Sequence, residues 1–201
     1  SVNLYILIQK DYYQLSQLFP KMKSNYLTKS KKRNDTMTEK PDFLLTLSNS
    51  DGRSIDALNA LHQLVENNIG VRLFTLTTFD IASGKAQRIY SNMPNDYPIS
   101  GVKDIEESPW TEEVITKGNV FVANTIKEIS KVFDDYKLIN NLGCESVVNV
   151  PIFLGEKLLG TLNCLHEEGY YTNQRIASFN GIQLPAIVCF LLHKLEENKE
   201  K

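Results

Sequence analysis

Residues 143–166 read GCESVVNVPIFLGEKLLGTLNCLH. Two apolar runs rich in β-branched residues meet at Gly155-Glu156, which stands between Leu154 and Lys157. That pair suits a two-residue type II′ turn, where glycine takes the first central position. An unbroken hairpin about this turn would set Val147 opposite Cys164 and Asn149 opposite Leu162, with Asn163 on the other face beside Val148. Both faces are then mostly apolar, as expected of a central hairpin covered on each side.

On the C-terminal side, residues 171–199 read as one long helix. Ile176, Phe179, Ile187, Phe190, Leu191 and Leu195 form its stripe, and Pro185 should kink it near the middle by removing a backbone donor and crowding the preceding turn. On the N-terminal side, residues 127–142 hold one or two short helices with Ile129, Val132, Phe133, Tyr136, Ile139 and Leu142 apolar. Residues 120–123 suit a short strand, and residues 110–117 a short helix closed by Gly118. Residues 91–109 contain three prolines and Gly101 and read as a long irregular insert, which in a compact domain is functional or mobile. Before it lies a hairpin: a strand at 71–79, a turn at Ala82-Ser83-Gly84-Lys85, and a returning strand at 86–90. A helix opens at Ser54, with Ile55, Leu58, Leu61, Leu64 and Val65 at helical spacing, Asp56 in its first turn and Gly70 just past its end.

The 201 residues carry a net charge of -2, so no strong field recommends nucleic acid or an acidic membrane surface. Residues 1–36 differ from the rest, with seven Lys/Arg against two Asp/Glu and the basic cluster Lys29-Ser30-Lys31-Lys32-Arg33. Tyr12, Leu15, Leu18 and Phe19 could form a short amphipathic helix there. We read residues 1–50 as an extension and linker, optional before Met37, and residues 51–201 as one domain. Three cysteines cannot all pair within the chain. With no basic leader before the short apolar run at 4–8 and no apolar stretch of spanning length, the expectation is a reduced, cytoplasmic protein.

The order helix, hairpin, irregular insert, hairpin, long helix resembles that of GAF domains over about residues 51–197. The stretch 143–166 resembles the last two central strands of that family, with a Val-Pro step, a Gly turn and a Leu-Gly-Thr-Leu strand. VITKGNVFVANT at 114–125 resembles its helix-Gly-strand passage. The resemblance implies an α+β fold: a central antiparallel sheet, the N- and C-terminal helices together on one face, and a ligand pocket roofed by short helices and loops on the other. It also implies a sensory or regulatory module.

The residues discriminate among several chemistries. One branch of the family, the free methionine sulfoxide reductases, uses pocket cysteines. Cys144, in a polar turn where a thiol can be partly exposed, is the candidate nucleophile, while Cys164 lies mid-strand among apolar neighbours. That branch carries carboxylates along its last strand, where Asn163 and Leu165 stand here. Cys144, Cys164 and His166 lack a fourth ligand and zinc-type spacing, so no metal is expected. The cyclic-nucleotide branch has an Asn-Lys and Phe-x-x-x-Asp-Glu signature. Here Thr125 follows Asn124, and Asp134-Asp135 directly follow Phe133. No Cys-His step suits a bilin.

What remains is a set of polar and aromatic residues for a pocket: Tyr90, Trp110, Phe133, Asp134, Tyr136, Ser146, Asn149 and Asn163. Asn149 and Asn163 weigh most, because an amide inside an apolar strand needs partners. The resulting expectation is a non-enzymatic small-molecule sensor without cofactor, homodimeric through its two long helices and signalling to a separate protein, since the last helix ends near the chain's end. The alternatives are a thiol-dependent reductase of a free amino-acid derivative, with Cys144 catalytic, and a degenerate scaffold that mediates association.

Overall fold

A computed structural model describes residues 43–199 apart from Asp51 and Ser100. The amphipathic helix and basic cluster read in the first 36 residues lie outside the described residues. The chain begins with helix α1 (Phe43–Asn49), whose Phe43 is buried in the main core although the sequence reads as linker there. Helix α2 (Ser54–Asn68) follows, with Ala57, Leu58, Leu61 and Val65 buried at the i, i+1, i+4, i+8 spacing of one face. Burying each of the larger side chains contributes roughly 1.5–3 kcal/mol.

Gly70 ends this helix in a left-handed conformation (φ 87°) and turns the chain into β1 (Leu73–Asp80). The hairpin partner is β2 (Lys85–Ser91). A two-residue strand β3 (Lys103–Asp104), absent from the sequence reading, pairs with the start of β2. Helix α3 (Pro109–Thr111) runs on into a π-turn, Glu112–Thr116. After β4 (Phe121–Ala123) come the short helices α4 (Ile126–Ile129) and α5 (Tyr136–Asn141). The long hairpin is β5 (Ser146–Leu154) and β6 (Lys157–His166). The six strands form one antiparallel sheet in the order β3-β2-β1-β6-β5-β4.

The turn of the long hairpin is as expected: Leu154 faces Lys157, and Gly155 alone takes positive φ (62°). The register beyond it is not. Phe153 faces Leu158 but Ile152 faces Gly160, so Leu159 is an extra residue and the pairing shifts by one. Val147 therefore lies opposite Leu165, Val148 opposite Cys164, and Asn149 directly opposite Asn163. The physical reason sits at Gly160. A Cβ there would overlap the Phe190 ring and the Thr77 carbonyl oxygen, so the strand bends as a bulge past a glycine.

The C-terminal helix is also broken more sharply than expected. Helix α6 (Asn173–Ala177) continues as a 3-10 turn to Gly181, and helix α7 (Gln183–Glu197) departs at 56° to it. Pro185 falls in the first turn of α7, where its missing N–H is harmless, and its ring would clash with the carbonyl of Gly181 in a continuous helix. Phe179, Ile182, Ala186, Cys189 and Phe190 pack inward, whereas Leu191 and Leu195 of the expected stripe are exposed.

Two apolar layers cover the sheet. On one face α2 and α7 pack side by side over Phe74, Leu76, Val148, Val150, Ile152, Leu162 and Cys164. Glu196 of α7 accepts hydrogen bonds from the backbone N–H and hydroxyl of Ser54, and so caps the first turn of α2. On the other face the segment 91–142 packs over Leu73, Cys144, Val147 and Leu165, using Tyr97, Ile129 and Ile139.

Candidate functional site

The corrected register places polar side chains in adjacent rows under the inserted segment. Ser91, Thr75, Asn163 and Asn149 align across β2, β1, β6 and β5. The next row holds Arg88, Thr77, Thr161 and Pro151. Side chains alternate along a strand, so these residues share the face of Leu73, Val147 and Leu165.

A hydrogen-bonded chain runs along the first row. The Trp110 indole Nε1 donates to Asn149 Oδ1 at 2.9 Å. Asn149 Nδ2 donates to Asn163 Oδ1 at 2.8 Å. Asn163 Nδ2 donates to the hydroxyls of Thr75 and Thr77 at 3.2 and 3.1 Å. Asn149 and Thr75 are buried, and Thr161 is fully so.

Trp110 is held above this floor by local sequence. Ser108 caps α3, accepting from Thr111 N, and Pro109 supplies the first helical position, so the indole emerges at a fixed point. Phe79 and Phe133 flank it at ring distances of 6.4 and 6.2 Å, and Phe121 meets Phe133 at 6.2 Å. The π-turn follows within the same helical segment; such turns recur at functional sites.

A second cluster closes the neighbouring edge. The Arg88 guanidinium lies 4.0 Å from the Tyr97 ring centre, and its Nη1 donates to Pro98 O at 2.7 Å. The Tyr97 hydroxyl donates to Asp135 Oδ2 at 2.6 Å. Burial first, and then the Asp135 carboxylate, push the Tyr97 hydroxyl pKa well up, so it stays a donor.

Of the residues singled out from sequence, the structure brings Trp110, Phe133, Asn149 and Asn163 together, and Tyr136 packs in the same layer. It does not bring the others. Tyr90 faces the helix layer, where its hydroxyl donates to Asn59 at 2.9 Å and burial raises its pKa to about 12. Ser146 spends its hydroxyl on the carbonyls of His166 and Glu167. Asp134 is exposed, and the acid that reaches the insert is its neighbour Asp135. Thr75, Thr77, Arg88, Tyr97 and Thr161 were missed. Threonine and arginine on a two-stranded ribbon read as ordinary strand residues until the register is known.

Cys144 is fully buried beneath the insert, contrary to the partial exposure expected, and burial raises its thiol pKa to about 11. Cys164 lies in the other layer, with its pKa driven well above the ordinary value by burial. Among the described residues no three His, Cys, Asp or Glu side chains converge as a metal site. An open groove of about 1070 Å³ lies at the hairpin tips, between residues 78–87, residues 153–159, Ile115 and Thr116 of the π-turn and the last turns of α7, and includes none of the floor residues.

No family model matches the chain, and no curated protein does. Solved structures do. The GAF domain of a two-component sensor histidine kinase from Bacillus halodurans is similar over 71% of this chain and 97% of its own, at 12% identity and a TM-score of 0.58. A GAF domain/HD domain protein from Geobacter sulfurreducens covers 72% of this chain and 95% of its own, at 10% identity and a TM-score of 0.56. A phycoerythrobilin-bound GAF domain from a cyanobacterial phytochrome covers 77% and 92%, at 14% identity and a TM-score of 0.55.

Proposed function

The chain folds as a GAF domain, and on that premise we propose that it is a regulatory module that senses a small molecule held between the sheet and the segment 91–142. The observation that carries this is the polar floor. A sheet face buried under an apolar layer is most cheaply lined with apolar side chains, yet this one sets two amides and three threonines at its centre, with Asn149, Thr75 and Thr161 buried and Asn163 and Thr77 half-buried. The amides are satisfied through Trp110, a side chain on a short, π-distorted helix. A ligand that offers its own donor to Asn149 can displace the indole without leaving the amide unpaired.

The response is a population shift. Ligand contacts made only with Trp110 withdrawn favour that arrangement of α3 and the π-turn. The strands under the floor carry α2 and α7 on their opposite face, and the Glu196 cap ties those two helices together. The buried, high-pKa thiols favour binding over the thiol-dependent reductase, because the reactive form is the thiolate. A reducing, cytoplasmic compartment suits three free cysteines. Assembly as a homodimer, with output to a partner protein, belongs to the same reading: Leu184, Leu191 and Leu195 leave an exposed ridge on α7.

Trp110 is the chain's one tryptophan, so its fluorescence reports on the floor alone. A metabolite library should yield a compound that raises Tm and changes Trp110 emission together. A library with no stabilising compound, or with stabilisers that leave the emission unchanged, contradicts the proposal.

A further inference from the structure

The floor carries two buried polar atoms that its internal hydrogen bonds leave out, Arg88 Nε and Thr161 Oγ1. Both belong to the row Arg88–Thr77–Thr161, one step along the strands from the amides. Arg88 uses Nη1 on the Pro98 carbonyl and one face of its guanidinium on Tyr97. No carboxylate lies within ion-pair distance of it among the described residues, although Asp135 is engaged by the hydroxyl of the same tyrosine. A guanidinium is a rigid fork of donors suited to planar oxyanions, and a buried N–H of that fork without an acceptor is an unmet demand. From this we infer that the sensed molecule carries a carboxylate, received by Arg88 with the Thr161 hydroxyl beside it, and that its remaining, uncharged body lies toward Asn149, Asn163 and the aromatic rings around Trp110.

This inference rests on the binding reading above and narrows it. Charge selects carboxylate over phosphate. The row offers one guanidinium against neutral hydroxyls and amides, and Asp135 already stands one side chain away. One negative charge is matched; a dianion would bring an uncompensated charge into a partly buried site. A planar carboxylate can accept from a guanidinium N–H on one oxygen and from a hydroxyl on the other.

The test uses matched probes on the full chain: isovalerate, phenylacetate, indole-3-acetate and lactate, each beside its primary amide, with phenyl phosphate as the dianion, read by Trp110 emission and Tm. At least one acid should bind, and at least tenfold more tightly than its amide and than the phosphate. In Arg88→Lys that preference should fall severalfold, because the charge remains and the fork is lost. Thr161→Val, an isosteric change that keeps the strand intact, should weaken the acid and leave its amide unaffected. Amides that bind as well as the acids overturn the carboxylate assignment and leave the pocket standing. So does an acid preference that Arg88→Lys leaves untouched. If no probe binds while the wider library yields a ligand, the carboxylate assignment falls alone; if both fail, the pocket falls with it.

Discussion

Asn163 serves three strands with one amide, accepting from Asn149 on β5 and donating to Thr75 and Thr77 on β1. Replacing it by leucine leaves the Asn149 amide without its acceptor in a buried site. Asn163→Leu should therefore cost about 1–3 kcal/mol in urea unfolding. Adding Asn149→Leu should cost clearly less than the sum of the two single changes, because both partners of one bond are then gone; strict additivity contradicts the coupled row. His62 makes a second residue-level prediction. It stacks on Phe74 and touches Tyr90 and Asn92, and burial lowers its pKa below 6.5 despite the opposing pull of Glu66. The unfolded chain then takes up the proton first, so stability present above pH 6.5 is lost as pH falls below it. His166 shifts in the same direction. Between pH 7.5 and 5.5 the protein should lose stability, and His62→Gln should lose less; an equal loss would remove His62 from the account. The two asparagines and Trp110 were legible as single polar or bulky residues in apolar surroundings. Arg88, Thr75, Thr77 and Thr161 were not, since a strand residue's face is unreadable while its register is wrong.

At the scale of elements, the hairpin that discloses the fold also contains the error. The turn Gly155-Glu156 fixes the first pairs, and the bulge at Leu159 then moves every later pair by one. Gly160 was the available signal, because an isolated glycine inside a strand marks a bulge or a close approach. Gly160→Ala should destabilise the protein by roughly 1–3 kcal/mol through overpacking against Phe190 and the Thr77 carbonyl. A neutral result would mean that α7 gives way freely. The break before α7 has the same character: the proline was seen, but its clash acts four residues upstream, so the bend lies at Gly181–Gln183 and turns Leu191 and Leu195 outward. Helix α2 was legible from its periodicity, although Ile55 of the expected stripe is exposed and Ala57 and Ala60 take part in the buried face. Its cap was not, because Glu196 comes from 142 residues away. Glu196→Gln should lower Tm by weakening a charge-assisted bond to Ser54, and an unchanged Tm would make the contact incidental.

Across the whole molecule, the sheet order and the pairing of the first and last helices follow from the succession of elements, which is why a chain at 10–14% identity to the compared structures was still readable as this fold. Assembly is less directly written. Leu184, Val188, Leu191 and Leu195 recur at spacings of four, three and four on α7, with the three leucines exposed, as in a two-helix seam. Light scattering should find dimers for chains beginning at residue 1 and at Met37 alike, and Leu191→Glu with Leu195→Glu should give a monomer that retains its fold. A monomer for both unaltered chains contradicts that interface.

The central claim, that a small molecule is sensed over the polar floor, is tested most directly by hydrogen–deuterium exchange with a stabilising ligand bound. The account predicts altered exchange in residues 109–116 and 126–141, and in β5 and β6 at Asn149 and Asn163, together with a change in α2 and α7 on the opposite face. Protection confined to the hairpin-tip groove, around residues 78–87, 115–116 and 153–159, with residues 109–114 unchanged, would contradict it.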